Sequence, residues 1–197
     1  MGVGIVDAIF LLLTAVVAIY LIYRFFQYKP AGYLWYSLSF VVLVVAGVLI
    51  LFGGFAALQA NWVKVVATLI PFGIAIGLMV QYYPKLKTWW MIILGIGFIL
   101  IALNVYGVVG GKIWYPIFHS FAGLTIFFVP IFVVSKKQAP GALLWVTVGG
   151  ALIGLGGMGL AMGLADLVLK ILTPVLFLMT LSYTWGFVRT MMLTKND

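Results

Sequence analysis

The sequence predicts an all-α fold, a polytopic integral membrane bundle of seven transmembrane helices forming one domain over 1-197, with no soluble domain. Three observations predict it. Of 197 residues, 66% are apolar and only 7% charged, too few charges for a water-exposed surface, so lipid is expected to cover most of the outside. The apolar runs are continuous and lack the ten-residue alternation of a β-barrel, which leaves helices as the way to pair backbone amides inside a bilayer. Pro, Gly and basic clusters cut the chain into pieces of about 20 residues or more, the length that crosses the hydrocarbon.

The expected spans are 3–27, 33–58, 62–83, 88–108, 113–135, 140–163 and 165–192. The N-terminus has no basic leader, and Val6 stands where a myristoylation motif requires Ser or Thr, so it reads as the start of span 1. Lys29-Pro30-Ala31-Gly32 ends that span. Span 2 opens on Tyr33, Trp35 and Tyr36, an interfacial aromatic group, and runs to the weakly polar Gln59-Ala60-Asn61. Span 3 carries Lys64 beside Trp62, with Pro71 inside it, and stops at Tyr83-Pro84-Lys85-Leu86-Lys87. Spans 4 and 5 open on Trp89 and Trp90 and on Trp114 and Tyr115, and are parted by Gly110-Gly111-Lys112. Lys136-Lys137-Gln138-Ala139-Pro140 closes span 5, and Gly163-Leu164-Ala165 separates spans 6 and 7.

Span 6 is the packing element. Gly150/Gly154 and Gly159/Gly163 both have GxxxG spacing, which lets a second backbone approach closely, and a tight contact is expected along Gly150, Gly154 and Gly157. The partner is expected to be another helix of the chain or a second subunit. No phosphate-binding loop is implied, because strand does not alternate with helix.

Orientation follows from the basic residues, which cytoplasmic loops retain. Arg24, Lys29, Lys85, Lys87, Lys136, Lys137, Arg189 and Lys195 fall on one side, and Lys64, Lys112 and Lys170 on the other. Eight against three places the N-terminus outside and the C-terminus in the cytoplasm, in a multi-pass protein of the cell membrane. The net charge of +8 then faces anionic lipid. It does not suggest nucleic acid, since the basic residues are dispersed in pairs rather than gathered on one element.

Several chemistries are closed. With no Cys there is no disulfide, thiolate nucleophile or thiolate-bound metal. Glu is absent, and the acids are Asp7, Asp166 and Asp197, so a catalytic carboxylate pair would need Asp7 and Asp166. One His completes a set too small for an enzyme to be expected, and no cofactor is implied.

Polar groups inside a bilayer are costly and usually functional. Here Asp7, Thr14, Lys64, Thr68, Asn104, His119, Asp166, Lys170 and Thr173 fall mainly in the outward half, while the inward half is nearly bare apart from its terminal basic residues. The candidate ligand-binding group is Asp7, Asn104, His119, Asp166 and Lys170, brought to similar depth by spans 1, 4, 5 and 7. The plainer reading pairs Asp166 with Lys170 at the interface and leaves Asn104 and His119 bonding separately between helices.

Asp166 and Lys170 have the Asp-x-x-x-Lys spacing of the retinal-binding helix in microbial rhodopsins, but Lys170 lies near the end of its span and no other helix supplies a mid-membrane counter-ion. His119 as a haem ligand would need a Met or a second subunit opposite it. Pro71, Pro130 and Pro174 suit kinked transporter helices, yet no repeat accompanies them, and Phe177 interrupts the polar stripe of span 7.

The stretch from Tyr23 to Phe40, with Lys29-Pro30-Ala31-Gly32-Tyr33 at its turn, resembles the first helical turn-around of seven-helix membrane domains in prokaryotic sensor-type and uncharacterised membrane proteins. His119-Ser120-Phe121-Ala122-Gly123 and the glycine-rich span 6 are similar as well. The resemblance implies sensing, with output from a cytoplasmic kinase or cyclase module; this chain stops at Asp197, so any output is expected from a partner, and the expected assembly is with a partner subunit or as a homo-oligomer. The expected function is therefore non-enzymatic, acting through binding, as a subunit of a larger membrane complex or a sensor of a small or lipidic ligand. A small transporter or channel is the alternative.

Overall fold

The computed structural model describes residues 3–111, 113–161 and 165–195, and side chains other than those of 156–166 within them. The chain is helical throughout: α1 (Ile5–Tyr28), α2 (Tyr33–Gly53), α3 (Asn61–Ala67), α4 (Leu69–Tyr82), α5 (Lys87–Val105), α6 (Trp114–Ser135), α7 (Leu144–Ala161) and α8 (Ala165–Thr194). Two 3₁₀ turns, Phe55–Gln59 and Gly141–Leu143, stand before α3 and α7. Among the described residues six helices are long and apolar enough to cross a membrane, α3 and α4 together forming one of them over Asn61–Tyr82. A further apolar stretch, Gly141–Leu155, is shorter in its described part.

Local chemistry sets the boundaries and corrects three expected ones. The second helix ends at Gly53 rather than near 58: Gly54 takes φ 68, a left-handed value open to Gly, and sends the chain into the 3₁₀ turn. The third span is broken at Thr68. Pro71 has no N–H to give the Ala67 carbonyl, and the buried Thr68 hydroxyl donates to the Val65 carbonyl at 2.7 Å instead of leaving that end of α3 to the helix ladder. The fourth span ends at Val105, three residues early, because the Asn104 side-chain amide donates to the carbonyls of Val109 (2.8 Å) and Gly111 (2.6 Å) and folds the loop back on the helix end.

The helices close into a ring. α1 packs on α2, α2 on α4, α4 on α6, α6 on α7, α7 on α8, and α8 returns to α1, while α5 lies outside the ring against α4 and α6. α1 and α8 run parallel, as Asp7 meets Thr173, Phe10 meets Phe177 and Phe25 meets Phe187 in the same order along both. The interior is filled by aromatic rings: Phe25, Tyr36, Phe40, Tyr183 and Phe187 are at most 3% exposed, with successive ring centroids 4.6–6.3 Å apart. Such pairs add about 0.5–1.5 kcal/mol each beyond the area they bury.

Glycines seat these rings. On α4, Gly73 and Gly77 are four apart; a Cβ on Gly77 would strike the Tyr36 ring, and one on Gly73 would strike the Ser39 hydroxyl. Gly32, before α2, lies against the backbone of Gly77. On α7, Gly149 faces Tyr183 and Gly150 faces Ile126, each at 2.8 Å from the position of an added Cβ. The expected seam does not extend further within the chain: an added Cβ at Gly154 meets nothing within 4 Å among the described residues. Four residues advance a helix face by more than one full turn, and Ile126 is the α6 side chain that reaches this face, at Gly150 only. The surroundings of Gly157, Gly159 and Gly163 lie outside the described residues.

Candidate ligand cavity at the basic end

Of the five polar residues proposed from the sequence, the four with described side chains fall on two separate pairs of helices. Asp7 and Lys170 belong to the adjacent helices α1 and α8, and Asn104 and His119 to the adjacent helices α5 and α6; neither of the first pair of helices approaches either of the second among the described residues. Similar depth in a bundle does not make neighbours, and the ring order separates them.

Each group has its own surroundings. The Asp7 carboxylate accepts from the Thr173 hydroxyl at 2.6 Å and from the Gly4 N–H at 3.3 Å, so it links α1 to α8 and caps the start of α1. Asn104 is held by the loop carbonyls described above. The His119 ring stacks on Tyr115, centroids 5.3 Å apart, and its buried Nδ1 has no hydrogen-bond partner among the described residues. Lys170 is exposed. The Asp166 side chain lies outside the described residues.

The polar cavity lies at the opposite end, where the sequence shows only terminal basic residues. It has a volume of about 420 Å³ and is lined by Gln27, Tyr28 and Pro30 from the end of α1, Gln81 from α4, and Met191, Thr194 and Lys195 from the end of α8. The parallel pairing of α1 and α8 brings their C-terminal turns together, and α4, antiparallel to α2, delivers Gln81 beside them.

A chain of hydrogen bonds fixes the walls. The Tyr36 hydroxyl, inside the aromatic core, donates to Gln81 Oε1 at 3.0 Å, and Gln81 Nε2 donates to the Tyr82 hydroxyl at 3.0 Å. Both ends of the Gln81 amide are thereby oriented by aromatic groups. Arg24 donates from Nη2 to the Tyr28 hydroxyl at 2.8 Å, with its guanidinium carbon 4.8 Å from the Tyr28 ring centre. Lys195 Nζ lies 5.4 Å from the same centre, so one ring holds a cation from each of two helices. Arg24 Nε and the Thr190 hydroxyl are buried without a hydrogen-bond partner among the described residues. The cavity is thus lined by amides, hydroxyls and an ammonium, with a guanidinium behind Tyr28, a set suited to a hydrogen-bonding or anionic group.

Sequence reasoning missed Gln27, Tyr28, Gln81 and Thr194. The available signal was the recurrence of Gln in the last turn of two spans of the same orientation, a residue type that helix ends carry for many reasons. No family profile, characterised protein or solved structure matches the chain.

Proposed function

We propose that the chain is a seven-span protein of the cell membrane, N-terminus outside and C-terminus in the cytoplasm, that acts by binding a small polar or anionic group, free or as the head of a lipid, in the cavity between α1, α4 and α8. One observation carries this reading: Gln81 in the cavity wall is held by the Tyr36 hydroxyl, and Tyr36 is packed against Phe25 and Phe187 in the core, so buried aromatic rings rather than further polar groups stand behind that wall. That geometry favours a sensor over a transporter or channel and agrees with the resemblance to sensor-type domains. Catalysis is disfavoured by placement, since Asp7 is engaged by Thr173 and Gly4 while His119 sits on a helix that does not touch α1.

A second reading, membership of a larger complex or a homo-oligomer, is favoured by Gly154, which no described residue covers, beside the exposed Leu155.

The natural chain has no Cys, so a single one at Thr194 reports on the cavity alone. An impermeant thiol reagent is expected to label Thr194→Cys only after the membrane is opened, and inorganic phosphate or a soluble short-chain phosphatidic acid is expected to slow the labelling. Labelling of intact cells overturns the orientation. A rate indifferent to both probes overturns the ligand assignment.

A further inference from the structure

A second concavity lies between α4, α6 and the start of α5. Trp90 of α5 is fixed in its wall: its indole N–H donates to the Thr125 hydroxyl at 3.0 Å and its ring meets Phe121 at 5.3 Å. The groove, of about 360 Å³, takes in Leu86 from the turn before α5, Phe132 from the end of α6 and the buried Met79 of α4.

The lining is hydrocarbon and aromatic. The Thr125 hydroxyl is already satisfied, since it accepts from Trp90 and donates to the Phe121 carbonyl at 2.8 Å, and Tyr83 brings the other side-chain hydroxyl of the lining. An apolar occupant suits the rest of this lining, whereas a polar one would lose its own hydrogen bonds.

Charge is confined to one end. Lys85 and Lys87 flank Leu86, and Lys136 follows Phe132 by one turn with Lys137 beside it; all four are exposed. The turn itself turns α6 sharply, since Lys137 takes φ 57 and its N–H bonds back to the Val134 carbonyl at 2.9 Å. A largely apolar groove whose lining residues at one end, Leu86 and Phe132, stand within five positions of four exposed lysines is complementary to an amphiphile with one acidic head.

We infer that this groove holds an acyl chain of an anionic phospholipid whose phosphate lies among Lys85, Lys87, Lys136 and Lys137. The inference stands apart from the cavity reading, since it uses none of the same residues and does not depend on orientation.

The test is native mass spectrometry of the full chain in mild detergent, with dioleoyl phosphatidylglycerol or dioleoyl phosphatidylcholine added in turn. Wild type is expected to retain one phosphatidylglycerol. Replacing the four lysines with Gln should weaken that retention by at least about tenfold, as each surface cation contributes to anionic-lipid attraction. Leu86→Trp, at a position 44% exposed and so free to accept a larger ring, should block the groove and abolish retention while the lysines remain. Equal retention of phosphatidylcholine, or of phosphatidylglycerol by the Gln variant, overturns the anionic head. Retention by Leu86→Trp overturns the groove. Thermal unfolding of each variant alongside wild type separates lost binding from lost fold.

Discussion

α4 and α7 carry the same small-residue spacing and use it differently. On α4 both glycines of the pair are occupied, Gly77 by the Tyr36 ring and Gly73 by the Ser39 hydroxyl, and Pro71 through Met79 are buried without interruption. On α7 Gly150 is met by Ile126 while Gly154, one turn on, is open among the described residues. GxxxG removes an obstacle to close approach but does not supply the neighbour. The seam forms where a facing helix presents a side chain whose shape uses the gap, and Tyr36 does so with a ring that also carries a hydrogen bond to Gln81.

Replacing Gly77 with Leu should break the comparison most severely. The new side chain would displace Tyr36 from the core, and overpacking of this kind costs about 3 kcal/mol or more when backbone must shift. Thermal unfolding in detergent should show a large fall or no folded protein, and a melting temperature near that of wild type would mean that the α2 to α4 contact is not close.

A smaller effect should come from Thr147→Val. Here α7 is tied to α6 by a hydroxyl, which donates to the Phe127 carbonyl at 2.9 Å three residues before Pro130 interrupts the α6 ladder. Loss of such an interhelical bond in a membrane protein costs about 0.6–1.7 kcal/mol, so the same assay should report a modest decrease. Stability unchanged within error would mean that side-chain packing, with Ile126 against Gly150, holds α7 on α6 without this bond.

The smallest change is expected at Gly154→Ala, within about 0.5 kcal/mol of wild type, because the added methyl meets no neighbour among the described residues. If size-exclusion chromatography then shows a smaller particle with unchanged unfolding, the open glycine belongs to a contact between subunits, and α7 becomes a seam of the assembly.

The helices were legible in the sequence because continuous apolar runs and their Pro and Lys punctuation are local properties. Hydropathy does not distinguish one helix from two, and so the break at Thr68 was hidden inside an unbroken apolar run, with Pro71 as its one visible sign. Neighbourhood was not legible. Asp7 and Thr173 meet and Asp7 and His119 do not, although all were expected in the same half of the bilayer, because the order of helices around the ring is set by how Tyr36, Tyr183 and the glycines fit together. The basic-end cavity was unreadable for a related reason: Gln27 and Gln81 gain meaning only when two remote helix ends are placed side by side.

The bond from Thr173 to Asp7 joins residues 166 positions apart, on α8 and α1. Synthesis delivers α1 well before α8, so the helix that flanks α1 on one side is absent while α2 to α7 are being made. Until α8 arrives, the Asp7 carboxylate lacks its hydroxyl donor and the Phe25 and Tyr36 rings lack the cover of Phe187. Completion of the ring is therefore a late, all-at-once event in biogenesis, and a chain released before Thr173 would present an unsealed flank to whatever quality control surveys the membrane.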